Sequence, residues 1–258
     1  METREIYMNN FLCPGLEESE DDWTHSYRLL PKSGYVEYEA FGGVPEGEAE
    51  RTKPGGYPFA SPAELLERLL CNEVSVRESD AFHKLYGQLK DLRNGSAAVC
   101  LEGPFSVLCM VVRPEDVFRA MRKQPDTIRQ VLEAVCGIQT AHAKRLLSAG
   151  ARILSVADPI AGADILGPRN YPAAADALLR MIREILPFLD GQAIHLCGRT
   201  SRDLENKGLI RREQIACSGT YEECIWLAAK TGVKLLGNGC LRNRSVRTET
   251  IAAYHIAE

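Results

Sequence analysis

From Ser61 onward, apolar residues recur at helical spacing along most of the chain, and short apolar runs interrupt them at intervals. Ser61-Pro62-Ala63-Glu64 has the form of a capping box with proline at the first helical position, and Leu65, Leu66, Leu69 and Leu70 give the helix an apolar face. A second helix is predicted over residues 80–93, with Phe82, Leu85, Leu89 and Leu92 on one stripe and Gly95 ending it. Residues 97–101 read as a buried strand, followed by helices over 114–123 and 125–148. The longer of these carries Ile128, Val131, Leu132, Val135 and Ile138 on one stripe and closes at Gly150.

The alternation continues with a strand over 151–156, a helix over 173–186, a strand over 193–197, a short helix over 201–206 and a strand over 214–217. Thr220 and Glu223 form another capping box, opening a helix to about Lys230. Residues 233–236 are the last predicted strand, and 249–257 read as a helix-like tail. The first sixty residues differ. An acidic stretch (Glu17 to Asp22) precedes Gly42-Gly43, Pro45, Pro54, Gly55-Gly56 and Pro58, and the alternating piece over 35–41 is the strand candidate there.

Strand then helix, repeated, means parallel pairing with helices outside. Five good strands from Ala97 onward and one doubtful one before them fall short of eight, so the expected fold is an α/β, TIM-type (β/α)8 barrel in shortened or irregular form. No G-x-G-x-x-G follows a predicted strand, which leaves the dinucleotide-binding doubly wound sheet without support. Residues 1–60 are assigned to an irregular N-terminal segment and 61–258 to a barrel-like catalytic domain.

Composition narrows the function. A 258-residue chain with 45% hydrophobic and 26% charged residues folds around a large core, and a net charge of −4 gives no basic field for nucleic acid. No apolar run reaches the roughly 18 residues of a membrane span, and the start METREIYMNN has no signal-peptide pattern, so a cytoplasmic protein is expected. Nine cysteines without scaffold spacing are then free thiols or metal ligands.

The sharpest chemical feature is His195-Leu196-Cys197 at the end of a predicted strand. Residues two apart on a strand face the same way, so imidazole and thiol point together toward the face where barrel active sites are built. The last strand delivers Gly237-Asn238-Gly239-Cys240 to the same rim. One histidine and two cysteines with an open fourth position make a catalytic zinc pattern. A core histidine beside a buried thiol is the competing reading of the same residues. Glu102 and Asp158 also fall just past strand ends. They are candidates for moving a proton or orienting a ligand, or for capping a loop and starting a turn. His142 reads as a packed histidine. Asn238 is a candidate for substrate binding or a turn residue, and Arg242, Arg244 and Arg247 for anion binding or a solvated surface.

Leu101-Glu-Gly-Pro-Phe-Ser106, a long helix closing in Ser148-Ala-Gly150, Ser155-Val-Ala-Asp-Pro-Ile160, Ile194-His-Leu-Cys-Gly198 and a late Gly239-Cys240 together resemble the uroporphyrinogen decarboxylase superfamily, in its corrinoid-linked methyltransferase branch. The resemblance implies a (β/α)8 barrel, zinc held by His195, Cys197 and Cys240, and a corrinoid (cobalamin) as methyl donor or acceptor. The partners it implies are a corrinoid protein and a small-molecule methyl donor or acceptor such as a thiol. Glu102 and Asp158 would line the catalytic mouth, with Asn238 and Arg242 on the substrate. Demethylation of a methylated substrate, or a non-catalytic accessory role beside a corrinoid protein, are the alternatives. The arginine-rich N-terminal motif of the decarboxylases is missing before Ser61, which argues against porphyrinogen decarboxylation. The N-terminal section and the Cys197–Cys240 interval are both shorter than the family pattern. The Gly/Pro-rich stretch from Gly42 to Pro58 reads as a lid, a loop or a dimer arm, which leaves a homodimer open.

Overall fold

The computed structural model describes residues 4–7, 27–29, 36–46, 53–71, 80–91, 96–241 and 246–257. In chain order these form β1 (Arg4–Tyr7), β2 (Tyr27–Leu29), α1 (Val36–Ala40), β3 (Pro45–Glu46), β4 (Lys53–Pro54), α2 (Pro62–Leu70) and α3 (Asp80–Asp91). Next come β5 (Ser96–Glu102), α4 (Pro104–Val111), α5 (Pro114–Lys123), α6 (Pro125–Ala149), β6 (Ala151–Ala157), α7 (Ala163–Ile185), β7 (Ala193–Leu196) and α8 (Gly198–Asn206). The chain continues through β8 (Ile210–Thr220), α9 (Tyr221–Lys230), β9 (Leu235–Gly237) and β10 (Arg247–Ile256).

One sheet organises the molecule, in the order β2-β1-β5-β6-β7-β9-β10-β8. The strands from β2 through β9 run parallel, and β10 is antiparallel to both β9 and β8. The α/β class is thus present, with a sheet that is mostly parallel. Two strands of the N-terminal segment extend the sheet beside β5, Arg4 pairing with Ser96 and Tyr7 with Val99. Among the described residues no pairing joins the edge strands β2 and β8, so the sheet has two edges.

Alternation along the strands builds two cores. Val99, Leu101, Leu154, Val156, Ile194 and Leu196 pack with α4, α6 and α7 on one face. Ala98, Ile153, Ala193 and Leu236 pack with Ile225, Trp226 and Ala229 of α9 on the other. In a closed (β/α)8 barrel that second face is the lumen, filled by strand side chains. Here a helix covers it.

Local signals set most boundaries. The Ser61 hydroxyl accepts from the Glu64 amide at 3.2 Å, and Glu64 Oε2 accepts from the Ala60 amide at 2.8 Å. Thr220 and Glu223 complete a reciprocal capping box at the start of α9. Helix α6 ends at Gly150, whose φ of 116° only glycine adopts without steric cost. Helix α7 begins ten residues before its predicted start and breaks at Gly167 (φ 69°, ψ 172°), just before Pro168.

Two expectations are corrected, and one helix is added to those expected. Within the strand expected over 35–41, Val36–Ala40 form helix α1, and Tyr38 and Phe41, one helical turn apart, are both buried. Tyr38 closes the turn against Gly56, donating to its carbonyl at 2.7 Å. The 249–257 tail is strand β10, whose Ile251, Ala252, Ala253 and Tyr254 are all buried because both faces of that strand are covered. Helix α4 carries no stripe at all: every one of its eight residues is buried, which erases the 3.6-residue pattern.

His142 sits in α6 as the packed histidine its spacing suggested, 5.5 Å from the Phe82 ring. Burial, and then the Arg145 charge, push its pKa down to about 3. The unfolded chain takes up a proton near pH 6.5 and the folded chain does not, so stability falls on acidification from about 6.5 toward 3. This group alone is expected to cost up to about 1.4 kcal/mol per pH unit in that window. Thermal unfolding of the chain and of His142→Gln at pH 7 and pH 5 checks this. The variant should lose the smaller fraction of its stability, and parallel pH profiles would refute the assignment.

Candidate active site

The parallel register places Cys100, Ser155, His195 and Leu236 side by side across β5, β6, β7 and β9. This row lies on the face covered by α9. His195 is fully buried. Its Nδ1 is 2.9 Å from the Ser155 hydroxyl, and its Nε2 is 2.9 Å from the Tyr221 hydroxyl. Tyr221 is the first residue of α9, and its oxygen also accepts from the Gly239 amide at 2.9 Å. With that oxygen engaged by an amide, the phenol hydrogen is left for His195 Nε2. Donor and acceptor roles at the two ring nitrogens follow the imidazole tautomer.

Cys197 caps the start of α8, and its amide donates to Val156 O at 3.0 Å. Cys240 follows the β9 turn, in which Gly198 N donates to Gly239 O at 2.8 Å. Both thiols are half-buried. Both act electrostatically on Tyr221, whose pKa is raised by burial first and by Cys197 and Cys240 among lesser causes. His195 is pushed down to about 4 by burial, with Cys240 and the Gly239 backbone working against the shift. Of the predicted imidazole and two thiols, His195 is the one hydrogen-bonded to the phenol hydroxyl.

Glycines make this convergence sterically possible. A Cβ on Gly239 would strike the Tyr221 ring, and one on Gly237 would strike the Leu196 carbonyl. The turn passes through Asn238, the one described non-glycine residue with positive φ, at 85°. With its amide oxygen turned to Arg212 Nη2 at 3.1 Å and its nitrogen to the Gly237 carbonyl, the Asn238 side chain is satisfied within the turn. Arg242 and Arg244 lie outside the described residues.

Asp158 is fully engaged. One carboxylate oxygen accepts from the Ser106 amide at 2.8 Å and the Ser106 hydroxyl at 2.6 Å, and the other from the Phe105 amide at 3.2 Å. These amides open α4, so the carboxylate staples the helix N-terminus to the end of β6. Its own amide donates to Thr200 Oγ1 at 3.1 Å. Burial lifts its pKa to about 6 despite those hydrogen bonds. The adjoining cavity, bounded by Tyr171, Leu178, Arg199 and Asp203, is about 10 Å³, room for a single water-sized probe. Glu102 ends β5, buried, and its carbonyl accepts from Gln139 Nε2 at 2.7 Å.

The donor set has the chemistry of a zinc site, with soft thiols and a neutral imidazole whose Nδ1 is held by a hydroxyl. As they stand, no three histidine, cysteine or acidic side chains among the described residues are grouped to grip a metal ion. Sequence reasoning missed Ser155, Tyr221 and Gly239. Tyr221 lies between the capping residues Thr220 and Glu223, and nothing in the local pattern shows that this helix covers the inner face.

The model of one protein family, described as Uroporphyrinogen decarboxylase (URO-D), matches residues 80–209. Two curated proteins from Methanosarcina barkeri, one of them from strain Fusaro / DSM 804, are both named Methylcobamide:CoM methyltransferase MtaA. Each is 23% identical over 138 residues, covering 54% of this chain and 39% of the relative. The chain thus spans about two fifths of the length of these relatives. A solved methyltransferase from Methanosarcina mazei superposes with a TM-score of 0.56 at 19% identity, covering 69% of this chain and 53% of the other. That superposition supports the shared fold.

Removing the staple gives a direct test of its role. Asp158→Ala leaves the Phe105 and Ser106 amides without their acceptor and is expected to cost about 2–4 kcal/mol. A raised carboxylate pKa contributes stability that is present below the unfolded value and lost as pH rises through about 6. The deficit of Asp158→Ala should accordingly be larger at pH 4.5 than at pH 7. Denaturant titrations at the two pH values check both parts, and a deficit below 1 kcal/mol would refute the staple.

Proposed function

The chain belongs to the uroporphyrinogen decarboxylase family, and from that premise we propose that it moves a methyl group between a corrinoid and a small thiol or similar acceptor. The rim where His195, Cys197 and Cys240 meet is the reaction site. One observation supports the reading: His195, Cys197 and Cys240 lie at or just past the carboxyl ends of the adjacent parallel strands β7 and β9. The names of the Methanosarcina relatives support the same chemistry.

Methyl transfer from cobalt to sulfur needs a thiolate, whose lone pair forms the new S–C bond while the Co–C electron pair stays on cobalt. A free thiol of pKa about 8.5 is mostly protonated at neutral pH. Zinc, held by His195, Cys197 and Cys240, would supply the positive charge that deprotonates the acceptor thiol and keeps it in place. Ser155 orients the imidazole so that Nε2, not Nδ1, faces the rim. Burial keeps His195 neutral, the form in which it donates a lone pair. Glu102, buried at the end of β5, serves as the proton-handling group. Asp158 acts through position, holding α4 against the mouth. Asn238 and Arg242 border the acceptor, and a corrinoid protein presents the methyl group.

A second reading, a non-catalytic module that docks a corrinoid protein, is favoured by the hydroxyl that Tyr221 places on Nε2. No helix of the described residues is long and apolar enough to cross a membrane, so neither reading includes a membrane-spanning helix there.

The two readings separate in one experiment. Chain purified without added metal is expected to carry about one zinc per molecule and to bleach methylcobalamin when a small thiol is added. Cys240→Ala should lose the zinc and slow demethylation by more than about 100-fold, beyond what merely supporting residues cost. Zinc-loaded chain that moves no methyl group in either direction would rule out the enzyme and leave the docking module.

A further inference from the structure

The proposed reaction site lies past the carboxyl ends of β7 and β9. At the opposite end of the sheet, where β9 begins and its antiparallel neighbour β10 finishes, a cleft of about 720 Å³ opens. Pockets for small molecules run from roughly 300 to 1,000 Å³, so this one has the size for a ligand. Four segments enclose it. The end of α7 and the turn after it bring Arg183 and Leu186, and the turn between α9 and β9 brings Val233 and Lys234. The paired strands β8 and β10 bring Glu213 and His255.

The charges along this cleft do not cancel. Glu213 is matched, with its Oε2 3.0 Å from His255 Nε2. Arg183 and Lys234 have no carboxylate partner among the described residues. Each reaches a backbone carbonyl instead: Arg183 Nη2 is 3.5 Å from the Ala257 oxygen, and Lys234 Nζ is 3.4 Å from the Leu186 oxygen. A carbonyl helps to position a cation and leaves its formal charge uncompensated. The chain as a whole carries a net charge of −4, so this pair of cations stands against the overall balance. Two such cations beside aliphatic walls complement a molecule with one acidic end and one apolar body.

We propose that this cleft is a binding site for a small amphipathic organic anion, with its acidic group on Arg183 and Lys234 and its apolar body against Leu186 and Val233. The site shares no residue with the proposed reaction site, so it stands or falls independently of the methyl-transfer reading.

The test titrates the full chain with 1-anilinonaphthalene-8-sulfonate, read by fluorescence, while near-ultraviolet circular dichroism verifies native packing. Saturable binding of about one molecule per chain is expected. Arg183 and Lys234 are exposed, so replacing them leaves the core untouched. Arg183→Ala and Lys234→Ala should each weaken binding about fivefold, the upper end of what an exposed ion pair contributes, and the double variant more than about tenfold. Lys123→Ala, an exposed cation at the end of α5, should bind as the unaltered chain does. Octanoate or octyl phosphate should displace the probe, the stronger of the two identifying the preferred acid, and octanol at the same concentration should not. Absence of saturable binding overturns the site. Unchanged affinity in the double variant, an equal loss in Lys123→Ala, or displacement by octanol as readily as by the acids overturns recognition of the anion by Arg183 and Lys234.

Discussion

The imidazole of His195, fixed at both nitrogens, is the contact on which the site depends. Ser155 holds it from the neighbouring strand and Tyr221 from the helix across the inner face, so one ring joins β6, β7 and α9. Each of these groups is buried or nearly so, and a buried polar group without a partner costs far more than a satisfied one contributes. Strand register, the glycine turn after β9 and the seating of α9 must therefore agree within hydrogen-bonding distance. This coupling explains why so small a polar cluster is surrounded by such closely packed backbone.

Asp158 shows the same economy at a second strand end. Sequence position alone placed it just past a strand end, and it does follow β6, but both of its oxygens are committed to the first amides of α4. The glycine preceding that helix leaves room for the carboxylate, since a Cβ on Gly103 would overlap it. A charge at a helix N-terminus interacts favourably with the peptide dipoles, and here it also fixes how the first helix after β5 leaves the sheet. Position at a rim and availability for chemistry are separate properties, and only the coordinates distinguish them.

Much of the framework was legible because local rules wrote it. Capping residues at Ser61 and Thr220, the glycine ending α6, and the alternating or striped apolar positions of β5, β6, β7 and α6 each specify an element without tertiary help. The elements misread or missed are those whose burial comes from several sides at once. Helix α4 is enclosed all round and shows no stripe, and β10 is covered on both faces and shows no alternation. In the site, the histidine and cysteines stood out because such residues are scarce and sat at strand ends. Ser155 and Tyr221 are common residue types whose importance comes from register and from the helix lying over the sheet, neither of which a linear pattern encodes.

The segment matched by the family ends at residue 209, immediately before β8, and holds His195, Cys197, Ser155 and Asp158. Tyr221, Gly239 and Cys240 all come from the portion that follows. The site residues therefore come from both sides of residue 209, with the matched segment supplying the ring and one sulfur and the portion after it the phenol oxygen and the other sulfur. Substitutions confined to the carboxyl-terminal fifth of the chain would thus reach this centre while leaving the family-matched segment untouched.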